Sequence, residues 1–338
     1  MTAGHVRSSR DPGRTAVISA DDDTKSKTIP QSVSVVIPVY KAAEFVERAV
    51  ESARRESEVQ EVILVEDGSP DESLAVCRRL AEKHTDIQLL QHPGGVNRGA
   101  GASRNLGIAA ARSTFLAFLD ADDYFLPGRF RVDLALLNEQ PGLDGVYNAI
   151  GTEFYDEAGK ARYAGKGQDE SHLTTMKRRV DPEALFEAMA PVGTGGHFHA
   201  DGLTVRRCLF DTLDGFDPEM ELSQDTLLFL QMALKCRLGA GELDHAVAVR
   251  GVHGENRVAD EEKLLRFRGL LFRKLYKWMR GEGLSARRVG RVWELYYHYS
   301  SLAYDGPESR HLARHLLEHP EVLASRKFWG RVLHKLGR

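Results

Sequence analysis

The sequence predicts an α/β fold in which a mostly parallel sheet is flanked by helices. Short apolar runs alternate with amphipathic helical segments from residue 33 onward, and this alternation is typical of right-handed crossovers between parallel strands. Carboxylates follow two of these runs, at the strand ends where open α/β sheets bind ligands. From residue 259 the pattern is helical alone, which predicts a C-terminal helical appendage.

The first part of the chain contains four predicted strands joined by helices. The strands are expected at 33–37, 61–65, 87–90 and 115–119. Apolar residues at helical spacing predict helices at about 43–55, 69–83 and 102–111. Pro38 is expected to end the first strand. Ser69, Pro70 and Glu72 favour a helix start with Ser69 as its N-cap.

The following part is less regular. Helices are predicted at 127–138, 182–189 and 223–238, strands at 144–150, 203–205 and 247–250, and a polar loop or hairpin at 152–180. A glycine-rich loop at 191–202 carries His197, His199 and Asp201. Loops of this length inside a compact domain are usually functional.

Composition places the chain among ordinary globular proteins. Charged residues make up 28% and hydrophobic residues 42% of the 338 residues, and the net charge of -3 is too small to favour a nucleic-acid or membrane partner. Cys77, Cys208 and Cys236 are odd in number and widely spaced, as is typical of reduced thiols in a cytosolic protein. Neither a membrane-length apolar run nor a secretory signal is recognisable. We therefore expect a cytoplasmic protein that does not bind nucleic acid.

Three regions are predicted along the chain. Residues 1–30 are polar and are expected to be a disordered tail, residues 31–258 the α/β domain, and residues 259–338 a helical region. Amphipathic patterns fill 261–280, 286–303 and 308–336. From residue 261 onward there are 17 Lys and Arg against 8 Asp and Glu. We interpret this basic face as a solvated surface over a helical core, and contact with a membrane surface, an anionic acceptor or a second copy of the chain stays open.

Three carboxylates at the end of the fourth strand are the main functional signal. Asp120, Asp122 and Asp123 lie within four positions, and like charges this close raise one another's pKa. A divalent cation would relieve the repulsion, and Mn²⁺ and Mg²⁺ take oxygen ligands of this kind. The alternative is a solvated acidic turn before the next helix, and Asp123 is interpreted as an acid at that helix start.

Two further sites follow the second and third strands. Asp67 lies at the end of the second strand and is expected to be partly free for a ligand, since Ser69 would cap the next helix; the alternative is an acid favoured by the dipole of that helix. Asn97 and Arg104 lie in and just after a loop with four glycines. This loop contains neither a dinucleotide fingerprint nor a Walker lysine, so neither of those nucleotide sites is supported.

Two residues in the later part complete the set. Asp225 lies in the first turn of a predicted helix, where an acid is often a cap favoured by the helix dipole. His253 follows a predicted strand and could bind a metal or a phosphate, or be structural.

These residues stand in motifs that resemble the inverting GT-A glycosyltransferases of family 2. The matching segments occur in the family's order at 33–40, 65–71, 97–107, 118–123, 215–217 and 224–225. The resemblance covers about 33–257 and leaves out the tail and the C-terminal helices. Glu66 stands where the family often has Asp, and Gln224 stands where Glu is common, so the surroundings of Asp225 differ from the family pattern.

The resemblance implies a role for each residue. The nucleotide-sugar site would contain Pro38, Tyr40, Glu44, Asp67, Asn97, Arg104, Asp120 and Ala121, with Asp67 at the base and Asp120 at the ribose. Asp122 would bind Mn²⁺ or Mg²⁺ on the diphosphate, and His253 would complete the metal or phosphate shell. Asp225 would be the general base. The acceptor would contact His197, His199 and Asp201.

The implied activity is that of a hexosyltransferase-type enzyme in polysaccharide biosynthesis. A sugar would move from a nucleoside-diphosphate donor, expected to be UDP-linked, to a hydroxyl of a saccharide or other acceptor. A single displacement needs one base and inverts the anomeric centre, whereas a retaining enzyme would need a second carboxylate as nucleophile, and none stands out.

Two other functions stay open. A nucleotidyltransferase would be expected to carry a glycine-rich, lysine-bearing signature after its first strand, where Pro38 to Tyr40 stands instead. A non-catalytic scaffold would use the basic C-terminal helices. The same helices leave open association with the inner face of a membrane, or a homo-oligomer.

Overall fold

The computed structural model of the chain describes residues 1, 31–164, 169–254, 256, 261–302, 310, 313 and 315–317. The predicted tail at 1–30 lies outside these residues apart from Met1. Most of the helical pattern predicted at 308–336 also lies outside them.

Strands and helices alternate through the first part of the chain, as predicted. The strands among the described residues are β1 (Val33–Val39), β2 (Val59–Glu66), β3 (Ile87–Gln91), β4 (Phe115–Phe118), β5 (Tyr124–Phe125), β6 (Gly145–Tyr147), β7 (Ile150–Phe154), β8 (Leu203–Arg206), β9 (Leu238–Ala240) and β10 (Ala248–Val252). The α-helices there are α1 (Val46–Arg54), α2 (Ser73–Lys83), α3 (Ala100–Ala110), α4 (Arg131–Glu139), α5 (Glu157–Ala164), α6 (Leu185–Ala188), α7 (Gln224–Lys235), α8 (Glu261–Gly281) and α9 (Ala286–Leu302).

The large sheet is mostly parallel. Among the described residues its seven strands lie in the order β3-β2-β1-β4-β8-β6-β9. Strand β8 is antiparallel to its neighbours β4 and β6, and the other pairs are parallel. Apolar side chains of α1, α2 and α4 form one buried cluster with the sheet, and those of α7, α8 and α9 form another. The predicted class, a mostly parallel sheet flanked by helices, is therefore confirmed.

Strand β1 continues through Pro38, so the predicted strand end at residue 37 is wrong. Pro38 pairs with Val65 of β2, whereas β4 pairs with β1 only as far as Val36. Beyond that point β1 is paired on one side alone, and strand edges tolerate a residue without an N–H group.

The single strand predicted at 144–150 is two strands in different sheets, β6 and β7. Asn148 lies between them and is fully buried. Its amide nitrogen donates to Asp133 Oδ1 at 2.9 Å and to the Gly202 carbonyl at 2.9 Å, and its oxygen accepts the Glu242 N–H at 2.7 Å. A buried amide needs such partners, so these bonds hold the chain where it changes sheet.

A second, smaller sheet has the order β5-β10-β7 among the described residues. Strand β10 is antiparallel to β5 and parallel to β7. Because β5 directly follows residues 120–123, which we call the acidic loop, this sheet brings the chain around residue 253 beside that loop. The segment predicted as a loop or hairpin at 152–180 instead begins with the end of β7 and the helix α5.

The C-terminal helices contribute to one core of the sheet. Helix α8 packs along α9 and against α7. Leu271, Leu275 and Trp293 are buried in the same cluster as Val36 and Phe118. No helix in the described part of the chain combines the length and the apolar character that a membrane span needs.

Candidate functional site

Three predicted site residues emerge at one edge of the large sheet. Tyr40 follows β1, Asp67 follows β2, and Asp120 lies two residues beyond β4. Because these strands are parallel, their carboxyl ends lie together, where open α/β sheets bind ligands. The Lys41 N–H donates to Ser69 Oγ at 3.2 Å, which joins the loops that follow β1 and β2.

Asp67 holds the glycine-rich loop. Helix α2 begins at Ser73, so the prediction that Ser69 is its N-cap is wrong. The Asp67 carboxylate, predicted to be partly free for a ligand, has two backbone partners: its Oδ1 accepts the Arg98 N–H at 2.7 Å and its Oδ2 accepts the Gly99 N–H at 2.8 Å. Only 2% of Asp67 is exposed, so its carboxylate mainly binds the backbone of this loop.

The close approach of this loop depends on Gly68. Its φ is +70°, a conformation that favours glycine. A Cβ atom here would lie 2.6 Å from the Gly95 carbonyl oxygen and 2.8 Å from the Asn97 nitrogen. The backbone of the loop therefore lies against the end of β2.

Arg104 and Asp120 form an ion pair at the same edge. Arg104 lies on α3 and is 6% exposed, and one of its terminal nitrogens donates to Asp120 Oδ1. Burial lowers the pKa of Arg104, but Asp120, together with Asp225 and Asp201, raises it, and the net shift is upward. Burial raises the pKa of Asp120, with Arg104 opposing. The buried Nε of Arg104 has no hydrogen-bond partner in the described part of the chain, so the guanidinium keeps an unused donor.

Asp122 and His253 lie side by side. His253 Nε2 is 3.3 Å from Asp122 Oδ2, and Asn256 Nδ2 donates to the same oxygen at 2.8 Å. The side chain of Asp122 is 29% exposed and that of His253 is 12% exposed. Phe45 stacks on the imidazole with ring centroids 4.8 Å apart, which restrains the ring. Carboxylate oxygen and imidazole nitrogen are ligands that first-row divalent metals accept.

Asp123 belongs to a buried cluster. The prediction that it is an acid at a helix start is wrong, because β5 follows it and α4 begins only at residue 131. Asp123, His199 and Asp201 each bring a ligand-type atom within 4.8 Å of the others. His199 Nδ1 lies 3.1 Å from Asp201 Oδ2. Asp201 Oδ1 accepts the Asp120 N–H at 3.1 Å, and Asp123 Oδ1 accepts the Gly251 N–H at 2.8 Å.

The charges of this cluster form an ion pair beside an acid that favours its neutral form. Burial, and then Asp201, raise the pKa of Asp123 well above its usual value. Burial lowers the pKa of His199, but Asp201 together with Asp120 raises it, and the net shift is upward. Burial would raise the pKa of Asp201, yet His199 and a hydrogen bond with Asp123 lower it far below its usual value. Asp201 is fully buried, so its carboxylate lies beneath the acidic loop.

Asp225 lies in the first turn of α7, where its Oδ1 accepts the Thr226 N–H at 2.8 Å. Its connection to the other predicted residues is electrostatic. Burial lowers the pKa of His197, although that residue is exposed, and Asp225 opposes this shift. Asp225 is also among the charges that raise the pKa of Arg104. The carboxylate is thus within electrostatic reach of both Arg104 and the 191–202 loop.

Helix α3 positions the start of α7. Asn105 Nδ2 donates to the Phe216 carbonyl at 2.7 Å, and the Phe216 N–H donates to Asn105 Oδ1 at 2.8 Å. The Oε1 atom of Gln224 occupies the space that a Cβ on Gly101 would need. Gln224, the residue before Asp225, is therefore packed against the helix that carries Arg104.

The remaining predicted residues differ in exposure. Tyr40, Glu44, Asn97 and His197 are exposed, whereas Pro38 and Ala121 are buried. The exposed residues can meet a ligand with their side chains. The buried ones can only shape a pocket from behind or offer backbone atoms.

The sequence does not predict two residues beside the acidic loop. Asn256 donates to Asp122, and an asparagine in a turn does not by itself indicate that role. Arg250 lies on β10. Burial alone would lower its pKa, but Tyr163 and the three carboxylates of the acidic loop raise it, and the net shift is upward. A charged residue inside an otherwise apolar strand was the available signal for Arg250.

The sequence is similar to known glycosyltransferases. The model of the family described as glycosyl transferase family 2 matches residues 34–187. The succinoglycan biosynthesis protein ExoU of Rhizobium meliloti (strain 1021) is 36% identical over 137 residues, which are 40% of this chain and 38% of that protein. The uncharacterized glycosyltransferase EpsJ of Bacillus subtilis (strain 168) is 34% identical over 197 residues, which are 57% of this chain and 54% of that protein. The chain thus spans between about two fifths and about half of the length of these relatives.

The fold is similar to that of a solved structure. The crystal structure of S. aureus TarS, residues 1–349 in complex with UDP-GlcNAc, gives a TM-score of 0.55 at 17% identity, and the match covers 79% of this chain and 72% of that chain. At this identity the likeness shows a shared fold, and UDP-GlcNAc is a ligand of that protein.

Proposed function

We propose that this chain, which belongs to glycosyl transferase family 2 through residues 34–187, transfers a sugar from a nucleoside-diphosphate donor to an acceptor hydroxyl. The observation that carries the proposal is the contact between Asp122 and His253 at the sheet edge that also bears Asp67 and Asp120. The family match favours this activity over a nucleotidyltransferase or a scaffold.

The donor is proposed to be UDP-linked and to bind along the ends of β1, β2 and β4. The UDP-GlcNAc complex of TarS supports this choice of nucleotide. Arg104 would offer its unused Nε, and the exposed Asn97 would meet the nucleotide from the glycine-rich loop. Asp67 would act mainly as a positioning residue for that loop, and any contact with the base would use the lone pairs that its two backbone bonds leave over.

Asp122 and His253 fit a divalent cation better than the buried cluster does. Both are partly exposed, and the oxygen that Asn256 contacts keeps a second lone pair for a metal. In the buried cluster, Asp123 and Asp201 are 2% and 0% exposed, so neither acid can reach a diphosphate at the surface. Mn²⁺ or Mg²⁺ bound at Asp122 would supply a Lewis acid that stabilises charge on the departing diphosphate.

Asp225 is proposed as the general base of a single, inverting displacement. The acceptor oxygen forms a bond to the anomeric carbon while the bond from that carbon to the diphosphate oxygen breaks on the opposite face. Asp225 takes the hydroxyl proton as this happens. A retaining reaction would need a nearby second carboxylate as nucleophile, whereas an inverting one needs this base alone.

On the acceptor side, the exposed His197 is proposed to contact the acceptor. His199 and Asp201 are less suited to that role, because Asp201 is fully buried and its carboxylate binds His199 and the Asp120 N–H. We assign this pair to positioning the acidic loop.

Residues 31–258 are proposed to be the transferase domain, and α8 and α9 a layer that supports one face of its sheet. The prediction that the C-terminal helices contact a membrane or a second copy of the chain stays a prediction, as does the cytoplasmic location.

A screen of nucleotide sugars tests the proposal. The purified chain is incubated with UDP-, GDP-, ADP- and dTDP-linked sugars in the presence of Mn²⁺, and release of the nucleoside diphosphate is measured. We expect release from a UDP-sugar, by slow hydrolysis or by transfer to added saccharides, and transfer at least about 100-fold slower in the Asp225→Asn variant. Turnover of nucleoside triphosphates with pyrophosphate release, and none of any nucleotide sugar, would contradict the proposal and favour a nucleotidyltransferase.

A further inference from the structure

A large cleft lies between the 191–202 loop and α9, away from the carboxylate site. Its volume is about 1290 Å³, above the roughly 300–1,000 Å³ of ordinary small-molecule pockets. One wall is formed by Lys177, Arg178 and the segment 193–195, and the other by Arg287, Arg288 and Arg291 of α9. None of the residues predicted for the donor site lines it.

The cleft carries an excess of positive charge. Glu187 and Glu294 are its acidic lining residues; Arg288 binds Glu187 at 2.6 Å, and the contact of Arg291 with Glu294 is 3.5 Å. In the described part of the chain, the remaining three cations have no ion-pair partner; they are Lys177, Arg178 and Arg287. Unpaired like charges in a concave surface focus a field that attracts anions.

Helix stability does not account for Arg287. It lies in the first turn of α9, and that turn contains no acidic residue. The positive end of the helix dipole disfavours a cation at this position. An anion in the cleft would offset this repulsion together with that from Lys177 and Arg178 on the opposite wall.

The wall at 193–195 is continuous with the acceptor side of the proposed active site. The Lys177 N–H donates to the Gly195 carbonyl at 2.7 Å, and the Gly195 N–H donates to the Ala188 carbonyl at 2.7 Å. Arg291 donates to the Val192 carbonyl at 3.2 Å, so α9 is fastened to the same loop. Two residues past this wall the chain reaches His197, which Asp225 influences.

We propose that this cleft binds an anionic saccharide acceptor, a chain that bears carboxylate or phosphate groups, and leads its hydroxyl end toward Asp225. The inference rests on the proposed glycosyltransferase function. Guanidinium groups bind carboxylate and phosphate in bidentate fashion, so both anions suit the two walls. A membrane surface fits less well, because a flat array of headgroups cannot enter a concave cleft, whereas a flexible saccharide chain can.

Binding is measured by fluorescence anisotropy on the full chain without donor. The probes are a labelled oligogalacturonate, a labelled short polyphosphate and a neutral maltooligosaccharide of matched length. We expect at least one polyanion to bind, with an affinity that falls as salt increases, and the neutral chain not to bind. The double variant Arg178→Glu/Arg287→Glu should bind the polyanion at least about tenfold more weakly. Arg78→Glu, an exposed charge reversal on α2, should bind it as the unsubstituted chain does.

Binding of the oligogalacturonate alone would identify carboxylate as the group that the cleft recognises, and binding of the polyphosphate alone would identify phosphate. UDP binding with Mn²⁺ is measured on the same variants and should be unchanged, so that failure of the cleft and failure of the proposed function give different results. Equal binding of the neutral chain, or an undiminished affinity in the double variant, would overturn the proposal. It would also be overturned if neither polyanion binds while vesicles containing phosphatidylglycerol bind the unsubstituted chain and not the double variant.

Discussion

His253 Nε2 lies 3.3 Å from Asp122 Oδ2, although 131 positions separate the two residues. Strand β10, which leads to His253, pairs with β5, which follows the acidic loop at once. The Gly251 N–H donates to Asp123 at 2.8 Å and strengthens the same junction. Pairing between two short strands therefore creates the proposed metal-ligand pair.

Loss of His253 should weaken metal-dependent nucleotide binding. We expect His253→Ala to reduce the affinity for UDP in the presence of Mn²⁺ by roughly 10- to 100-fold, because one ligand of the ion is lost. Without metal the two proteins should bind UDP equally. Isothermal titration calorimetry with and without Mn²⁺ measures both values. His245→Ala is the control, since that side chain is 84% exposed. Equal affinities of His253→Ala and the unsubstituted chain with Mn²⁺ would rule out the assignment.

Loss of the Asp225 carboxylate should abolish transfer and spare the donor site. We expect Asp225→Asn to lower the rate of transfer by about 10²- to 10⁴-fold, because no group remains to take the acceptor proton. Its Kd for UDP with Mn²⁺ should not change. Initial rates and calorimetry on one preparation give both quantities, and Asp211→Asn, at an exposed position, is the matched control. Near-normal turnover of Asp225→Asn would show that another group is the base.

The two backbone hydrogen bonds that Asp67 accepts predict the effect of replacing its carboxylate with an amide. In Asp67→Asn only one oxygen remains, and the amide NH₂ must face the N–H of Arg98 or Gly99. An unsatisfied buried donor costs about 1–3 kcal/mol, so the loop at 97–99 should loosen and UDP affinity should fall. Hydrogen exchange followed by mass spectrometry should show faster exchange in this loop. Unchanged exchange there would mean that Asp67 does not hold it.

Because α3 packs closely on β1 at Gly107, a larger residue at that position should destabilise the fold, and a smaller residue on β1 should restore part of the stability. A Cβ on Gly107 would overlap Val36 Cγ1 and lie 3.0 Å from its Cγ2. Gly107→Ala should therefore lower the free energy of unfolding by about 1–3 kcal/mol. Val36→Ala in the same chain should recover part of that loss, because it removes both methyl groups. Urea unfolding of the single and double variants measures the coupling. Additive effects would contradict the contact, and Gly142→Ala, with nothing within 4 Å, is the control.

Glu61 predicts a pH-dependent contribution to stability. Burial raises its pKa, but hydrogen bonds from Ser34 Oγ at 2.6 Å and from Arg112 lower it by more, to below the ordinary value of 4.5. A lowered pKa stabilises the fold above the unfolded-state value, and this contribution disappears as the pH falls through the folded-state value. Glu61→Gln should thus reduce the free energy of unfolding at neutral pH and have a shrinking effect below about pH 4.5. Denaturant unfolding across this range measures it, and a difference that does not vary with pH would contradict the assignment.

The sequence predicts those features that depend on neighbouring residues. Alternation of apolar runs and helices is enough for the parallel sheet, and the position of Asp120 after such a run is enough to locate the acidic loop. The hydrogen bonding of Asp67 is different, because it depends on a loop 31 positions away. Asn148 likewise divides a predicted strand through bonds to partners between 15 and 94 positions distant.

The same limit applies to the 191–202 loop. Its histidines and Asp201 resemble ligand contacts because they are polar residues among glycines. Antiparallel pairing of β8 with β4 instead puts Asp201 beneath Asp120, where it is buried. Periodicity does not reveal such pairing, since β8 has only four residues.

The most direct test of the central claim is the thermal stability of the full chain with UDP. At UDP concentrations well above Kd and with Mn²⁺ present, bound nucleotide should add about 2–3 kcal/mol and raise the Tm by several degrees. With EDTA in place of Mn²⁺, the increase should vanish. No increase with any nucleoside diphosphate, with or without metal, would contradict a nucleotide-sugar transferase.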